Sequence, residues 1–213
     1  MNSSLDPRNA NTLVVLDFET TGLSPDQGDR AIEIGAVRLV DGQIGDRFQA
    51  LMNPGRRVDS FIENYTGISN AMLAEAQPCD RVMAEFAEYL GDDNMVAHNA
   101  SFDRRFLDAE LSRLKLRTGG DFVCSMLAAR RVYPTAANHK LGTLVDVLQL
   151  PNDGVYHRAL ADAEMTAHLW LRILEDLEQQ SGMNSIPFAL IQQLTRTPKG
   201  SVAALLQRHA KRA

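Results

Sequence analysis

Four consecutive apolar residues, Leu13-Val14-Val15-Leu16, run without a break into Asp17-Phe18-Glu19, and Thr20-Thr21-Gly22-Leu23-Ser24-Pro25 ends the run with turn formers. A short apolar segment rich in β-formers and bounded by turn residues reads as a buried strand. Side chains two apart on a strand point to the same side, so Asp17 and Glu19 share a face, with Cα atoms roughly 6.5 Å apart. Acids flanking an apolar strand are ordinarily end caps facing water. These two follow four apolar residues and stand at the strand's C-terminal end, where sites gather in α/β sheets. A pair so placed suits convergence on one cation.

The flanking sequence supplies partners for that strand. Residues 31–40 and 43–52 are two further strand candidates, joined by Asp41-Gly42, a strong two-residue hairpin signal, and closed by Pro54-Gly55. From residue 69 the pattern becomes helical, with Val82, Phe86, Tyr89 and Leu90 at helical spacing. Residues 94–98 and 121–124 read as short strands. Residues 102–114 read as a helix with Phe102, Phe106, Ala109, Leu111 and Leu114 roughly on one side, which casts Phe102 and Phe106 as core residues. Helical segments follow near 125–132, 141–148 and 159–178. An antiparallel meander followed by alternating α and β units predicts an α/β fold, a mixed five-stranded sheet with helices on its faces.

The chain has 213 residues, 45% hydrophobic and 23% charged, which suits one globular domain with appendages. Residues 1–11 are polar and predict a loose N-terminal arm, 12–180 the main domain, and 181–213 a basic helical C-terminal extension. Five of the 22 basic residues (Arg196, Lys199, Arg208, Lys211 and Arg212) lie in that extension with no acid among them, so it carries +5. The other 17 face 27 acids, leaving a body at −10. Ser185 followed by Pro187-Phe188-Ala189-Leu190-Ile191 predicts one short helix there. Thr197 as cap with Pro198 at the first position predicts another, with Val202, Leu205, Leu206 and His209 on one face. Cys79 and Cys124 make no disulfide framework and read as reduced thiols. With no leader-like N-terminus and no apolar run near the ~20 residues of a membrane span, a soluble, cytoplasmic protein is expected.

Three more residues carry possible chemistry. Asp103 falls in the first turn of the helix that follows the 94–98 strand, where an acid also simply complements the helix dipole. His157 precedes the long helix at 159, and Asp162 lies inside it, in a mostly apolar run. A lone histidine is more often surface or core filler than a catalyst.

Taken in order, these segments resemble one family. Asp17-Phe18-Glu19-Thr20-Thr21-Gly22-Leu23 with Ile32-Glu33-Ile34-Gly35-Ala36-Val37 looks like the first motif of the DnaQ-like 3′→5′ exonucleases. His98-Asn99-Ala100-Ser101-Phe102-Asp103 looks like the second motif, and His157-Arg158-Ala159-Leu160-Ala161-Asp162-Ala163 like the third. The His-x4-Asp form of the third motif marks the DEDDh branch. The likeness spans roughly residues 12–178 and extends to Asn53-Pro54-Gly55, Thr66-Gly67-Ile68 and His139-Lys140-Leu141-Gly142-Thr143-Leu144. It is nearest to the epsilon proofreading subunit of bacterial DNA polymerase III and its free-standing relatives. One departure is Val123-Cys124-Ser125-Met126-Leu127, where many relatives carry an Asp-Thr pair outside the catalytic set.

The resemblance implies a ribonuclease H-like fold and a metal-dependent 3′→5′ exonuclease releasing nucleoside monophosphates. By it, Asp17, Glu19, Asp103 and Asp162 bind two Mg²⁺ or Mn²⁺ ions, Asp103 on the second through water, and His157 is the general base. Oxygen-only ligands do suit hard cations, and a histidine beside them is better cast as proton acceptor than as ligand. Two divalent cations would bring the chain from −5 to −1. Near the 3′-terminal nucleotide the resemblance places Thr20, Thr21, Leu23 and Thr66, with His98 and Asn99 as orienting or substrate-touching residues; turn, core and cap roles fit these residue types equally. Glu33 is expected in a structural role at a strand edge. DNA 3′ ends are the expected substrate, with RNA 3′-end trimming the alternative within the class and a non-catalytic polymerase-associated subunit the alternative outside it. The extension is expected to pack on the domain; docking a DNA polymerase subunit or touching nucleic acid is its other reading. The oligomeric state is left open.

Overall fold

The computed structural model describes residues 9–152, 154 and 157–211. Three long strands lead the chain: β1 (Leu13–Thr20), β2 (Ala31–Val40) and β3 (Gln43–Asn53). They form an antiparallel meander. Asp41 and Gly42 turn β2 into β3 with φ of 50° and 77°, the two left-handed residues that the predicted hairpin turn requires. Next come α1 (Ser60–Thr66), α2 (Asn70–Glu75), β4 (Gln77–Pro78), α3 (Cys79–Leu90), β5 (Met95–Ala97) and α4 (Ser101–Arg113). The chain continues through β6 (Phe122–Cys124), α5 (Ser125–Val132), α6 (Leu141–Leu148), α7 (Ala159–Ser181), α8 (Phe188–Arg196) and α9 (Val202–Ala210). β5 and β6 add in parallel to the far side of β1, and the strand order is β4-β3-β2-β1-β5-β6.

The sheet therefore has six strands rather than the expected five. The extra one is the two-residue β4, paired in parallel with the end of β3, and two residues carry no periodicity to read. α1 is also absent from the sequence reading. Its signals were capping signals: Asp59 accepts from the Ile62 amide at the N-terminus, and Gly67 closes the C-terminus at φ 71°.

The two faces of β1 explain the architecture. Val14, Leu16 and Phe18 point into a core shared with α3 and α4, around Phe86 and Phe106. Leu13 and Val15 point into a second core with α5, α7, α8 and α9, around Trp170. Asp17 and Glu19 continue the second stripe. Their cross-strand partners on β2 continue it too: Leu13 faces Leu39, Val15 faces Val37, Asp17 faces Gly35 and Glu19 faces Glu33. At the C-terminal end of β1 the α7-facing stripe thus changes from apolar to acidic.

The two ends of the chain differ in part from expectation. Residues 9–11 are not loose: Ala10 is buried, its amide donates to Ile186, and its carbonyl accepts from Trp170 Nε1 at 2.7 Å. Residues 1–8 lie outside the described residues. Ile186, Phe188, Leu190, Ile191, Leu194, Val202, Leu205 and Leu206 join the Trp170 core, so the extension packs its apolar face as expected. Its caps differ. Pro187 is the N-cap of α8. Thr197 ends α8, with its hydroxyl donating to the Gln193 carbonyl, and a single 3₁₀ turn (Lys199–Ser201) precedes α9. Among the described residues no helix is long and apolar enough to cross a membrane.

Candidate active site

Three elements converge where the acidic stripe begins. β1 supplies Asp17 and Glu19, and the first turn of α7 supplies Asp162 from the facing layer. Carboxylate oxygens of these three residues all lie within 4.8 Å of one another. Asp103 comes from the other face of the sheet, in the first turn of α4. It is buried, and its Oδ1 accepts from the Phe18 amide at 3.2 Å, which ties α4 to the backbone between the two β1 acids. Its Oδ2 is buried with no hydrogen-bond partner.

Burial raises the proton affinity of every member, and neighbouring like charges add to it at Asp17, Glu19 and Asp162. Burial, then the charges of Asp103, Asp162, Glu19 and Glu33, hold Asp17 well above the usual carboxylate range. Glu19 is pushed up to about 8 by burial and by Asp162, Glu33 and Asp103. Burial takes Asp103 up to about 7, and Asp162 is raised for the same first reason. Proximity of like charges and desolvation both disfavour the ionised form. A divalent cation reverses that balance. The donor set is all oxygen, clustered and partly dry, and includes a buried acceptor with nothing to accept from, so these four side chains fit hard cations.

His157 stands beside the cluster. Its amide donates to Asp162 Oδ2 at 2.9 Å, and its ring packs on Tyr65, centroids 4.1 Å apart. Tyr65 in turn stacks with Phe61 one helical turn earlier, at 5.8 Å and 11°. A cavity of about 750 Å³ opens over the carboxylates, walled by the Glu19–Leu23 segment, by α1, by the His98–Asp103 segment and by His157 and Leu141. Leu23 and Phe61 are 77% and 68% exposed and present apolar surface from two different elements.

The remaining expected site residues all line this cavity, but several have their polar atoms engaged within the protein. The Thr20 hydroxyl donates to the Gly22 carbonyl at 2.6 Å, and the Thr21 hydroxyl donates to Asp29 and accepts from the Arg30 amide. The Thr66 hydroxyl bridges the Ile62 carbonyl and the Ile68 amide. His98 packs Nδ1 against Ser125 Oγ and Nε2 against the His139 carbonyl, each at 2.9 Å. Burial lowers His98 to about 4, so the ring is neutral, with Nε2 donating to the His139 carbonyl. Asn99 is exposed and holds a left-handed backbone, φ 69°, at the turn into α4.

The sequence reading missed Phe61, Ile62 and Tyr65, whose Phe-x3-Tyr spacing after the Asp59 cap was the available signal. Phe106 is fully buried, and Phe102 packs against it and the same core as expected while its partly exposed side also lines the cavity. Glu33 is not at an edge. It lies on an interior strand, fully buried, and pairs with Arg158 next to His157.

The sequence matches the exonuclease family described as RNase_T over residues 14–170. It is 37% identical over 198 residues to the 3′-5′ exonuclease DinG of Bacillus subtilis, covering 92% of this chain and 20% of that protein. It is 39% identical over 171 residues to the PolC-type DNA polymerase III of the same organism, covering 79% of this chain and 12% of that protein. The chain thus spans a fifth or less of the length of these relatives. Among solved structures, exonuclease X in complex with 5′ overhanging duplex DNA aligns with a TM-score of 0.67 at 29% identity, covering 86% of this chain and 99% of that one. The nuclease domain of 3′hExo, a DEDDh family member bound to rAMP, aligns with a TM-score of 0.68 over 88% and 98%; at 19% identity it speaks to the fold. With this match over most of its length, the chain belongs to the exonuclease family described as RNase_T.

Proposed function

We propose that this protein is a 3′→5′ exonuclease that hydrolyses single-stranded or frayed DNA 3′ ends to nucleoside monophosphates, in proofreading or repair. The observation that carries the reading is the juxtaposition at the end of β1: the carboxylates of Asp17, Glu19 and Asp162 within 4.8 Å of one another, with Asp103 and His157 lining the same aromatic-walled cavity. Asp17, Glu19 and Asp162 would hold one or two Mg²⁺ or Mn²⁺ ions, with Asp103 completing the set directly or through water. Bound there, the cations would lower the proton affinity of water and neutralise charge on the scissile phosphate and the leaving 3′ oxygen.

The chain's own residues do the rest. His157 accepts the proton of the attacking water, its ring oriented by Tyr65 and its backbone by Asp162. Leu23 and Phe61 bracket the terminal base, which every nucleotide can offer as a flat apolar face. Because the hydroxyls of Thr20, Thr21 and Thr66 are engaged, that segment meets the terminal nucleotide through backbone groups and Leu23. Glu33 and Arg158 brace the base-bearing loop.

Polarity and substrate rest on the relatives. DinG is named a 3′-5′ exonuclease, the polymerase relatives carry the similar segment inside a DNA polymerase, and exonuclease X was solved on DNA. A DNA polymerase is the proposed partner, met by the exposed Arg196, Lys199, Arg208 and Lys211 of the C-terminal extension. Both cysteines are free, which supports a reducing compartment such as the cytoplasm.

The test is release of label from matched 3′-labelled single-stranded DNA and RNA with Mn²⁺. Labelled mononucleotide is expected from DNA at least tenfold faster than from RNA, with release by His157→Ala slowed about 10²- to 10⁴-fold but measurable. Faster release from RNA would make the chain a 3′-end trimming exoribonuclease. Equal inertness of wild type and His157→Ala would make it a non-catalytic subunit.

A further inference from the structure

Glu33 makes an unusual set of contacts for a residue without a place in the carboxylate cluster. It is fully buried on the interior strand β2 and reaches across to the layer of α7. Its Oε2 accepts from Arg158 Nε and from the Ala159 amide, both at 3.1 Å. Its Oε1 accepts from Arg158 Nη2 at 2.8 Å and from Gln49 Nε2 at 3.0 Å. All its acceptor capacity is thus spent, three bonds of four on the two residues that follow His157.

Two further features show that this junction is built tightly. Gly35, two residues along the same face of β2, has no room for a side chain: a Cβ there would stand 2.1 Å from the Leu160 amide nitrogen and 2.2 Å from the Ala159 carbonyl carbon. The start of α7 therefore rests directly on the β2 backbone. His157 itself sits at φ 61°, a left-handed conformation that a β-carbon disfavours and that surrounding contacts must hold. Asp162 Oδ2 holds it through its amide. The Arg158–Ala159 pair holds the residues on its other side.

We propose that Glu33 is the positioning residue of the catalytic centre: through Arg158 and the Ala159 amide it fixes the first turn of α7 on β2, and so fixes His157 in its left-handed conformation beside the acidic quartet. The proposal rests on the reading of His157 as the proton acceptor. It makes β2, which contributes no member of the quartet, the strand from which the base is aimed.

Glu33→Gln tests it at constant volume. One carboxylate oxygen becomes an NH₂ group that cannot accept from Arg158 in either orientation, and the charge that strengthens the Arg158 bonds is lost; one bond goes if Gln49 turns its amide oxygen to the new donor, two if the NH₂ faces the Ala159 amide. On a labelled single-stranded oligonucleotide the expected result is a kcat about 10- to 100-fold lower, the scale on which outer-shell positioning groups act, with KM changed less than threefold. Amide hydrogen exchange of residues 157–160 should quicken at least tenfold while that of residues 165–177 stays as in wild type. Combined with His157→Ala, Glu33→Gln should add no further loss, because it acts through that residue. A kcat within twofold of wild type would overturn the proposal. So would losses that multiply with His157→Ala, or exchange that quickens evenly along α7. Should Glu33→Gln fail to fold, Arg158→Lys, at a third-exposed position, keeps the charge but loses the two-pronged guanidinium, and the same readouts decide. If wild type degrades no nucleic acid, the functional reading fails, and the exchange pattern alone still judges the clamp.

Discussion

The acidic quartet is a stability liability that pH and metal should expose together. At 4.8 Å and an effective dielectric constant of about 20, each pair of ionised carboxylates repels by about 3.5 kcal/mol. Three such pairs among Asp17, Glu19 and Asp162 would cost about 10 kcal/mol, comparable with the whole stability of a domain. The metal-free protein answers by keeping protons. Glu19 moves from its ordinary 4.5 to about 8, and Asp17, Asp103 and Asp162 move the same way. The folded chain then binds protons more tightly than the unfolded one. The resulting stability is complete below the unfolded value and is lost as pH rises through the folded one. For Glu19 the displacement is worth about 5 kcal/mol at roughly 1.4 kcal/mol per pH unit. For a chain of this length that is a Tm change of about 10–20 °C. Thermal unfolding followed by circular dichroism between pH 5 and 9 in chelator should show a falling Tm. Glu19→Gln should flatten the fall by at least half and melt higher than wild type at pH 9. Mn²⁺ should raise Tm more at pH 9 than at pH 6, and its effect should shrink in Asp17→Ala. A chelated Tm constant from pH 6 to 9, or a Glu19→Gln curve parallel to wild type, would refute the reasoning.

Three other outcomes follow from packing. Phe61→Ala, at an exposed position, should leave stability within about 0.5 kcal/mol, yet raise KM for single strands about 5- to 100-fold if the ring stacks on a base. Gly35→Ala forces a Cβ into the α7 backbone and should lower Tm by several degrees, with overpacking costing about 1–3 kcal/mol, and lower activity further by displacing His157; melting and initial rates check both. Removing residues 182–213 strips nine buried apolar side chains from the Trp170 core, each worth about 1.5–3 kcal/mol, which exceeds the stability of most domains. The truncated chain should show no cooperative melt.

Some of this molecule can be read directly from its sequence. The apolar-to-acid switch in β1, the Asp41-Gly42 turn and the helices at 125–132 and 141–148 are local signals, and local signals survive folding. Three acidic residues of the site are visible because Asp17 and Glu19 interrupt an apolar stripe and Asp162 interrupts another; Asp103 stands out only through the family resemblance. What was hidden depends on distance along the chain. Glu33 looks like a minor polar residue in a strand until its partner 125 residues away closes on it. Phe61 and Tyr65 belong to a seven-residue helix in which only Thr66 is buried, so it has no apolar stripe to detect. Phe102 carries the same spacing signal as Phe106 and packs on the same core, and only the position of the cavity adds its second role as a wall residue. Ala10 is pinned by Trp170 and Ile186, contacts that no reading of a polar arm can supply.

Polarity of degradation tests the central claim most directly. A 5′-labelled single-stranded DNA incubated with the chain and Mn²⁺ should shorten as a ladder, one nucleotide at a time, and Asp17→Asn should leave it intact. Immediate appearance of labelled mononucleotide, internal cuts without a ladder, or equal degradation by Asp17→Asn would contradict a quartet-dependent enzyme working from the 3′ end.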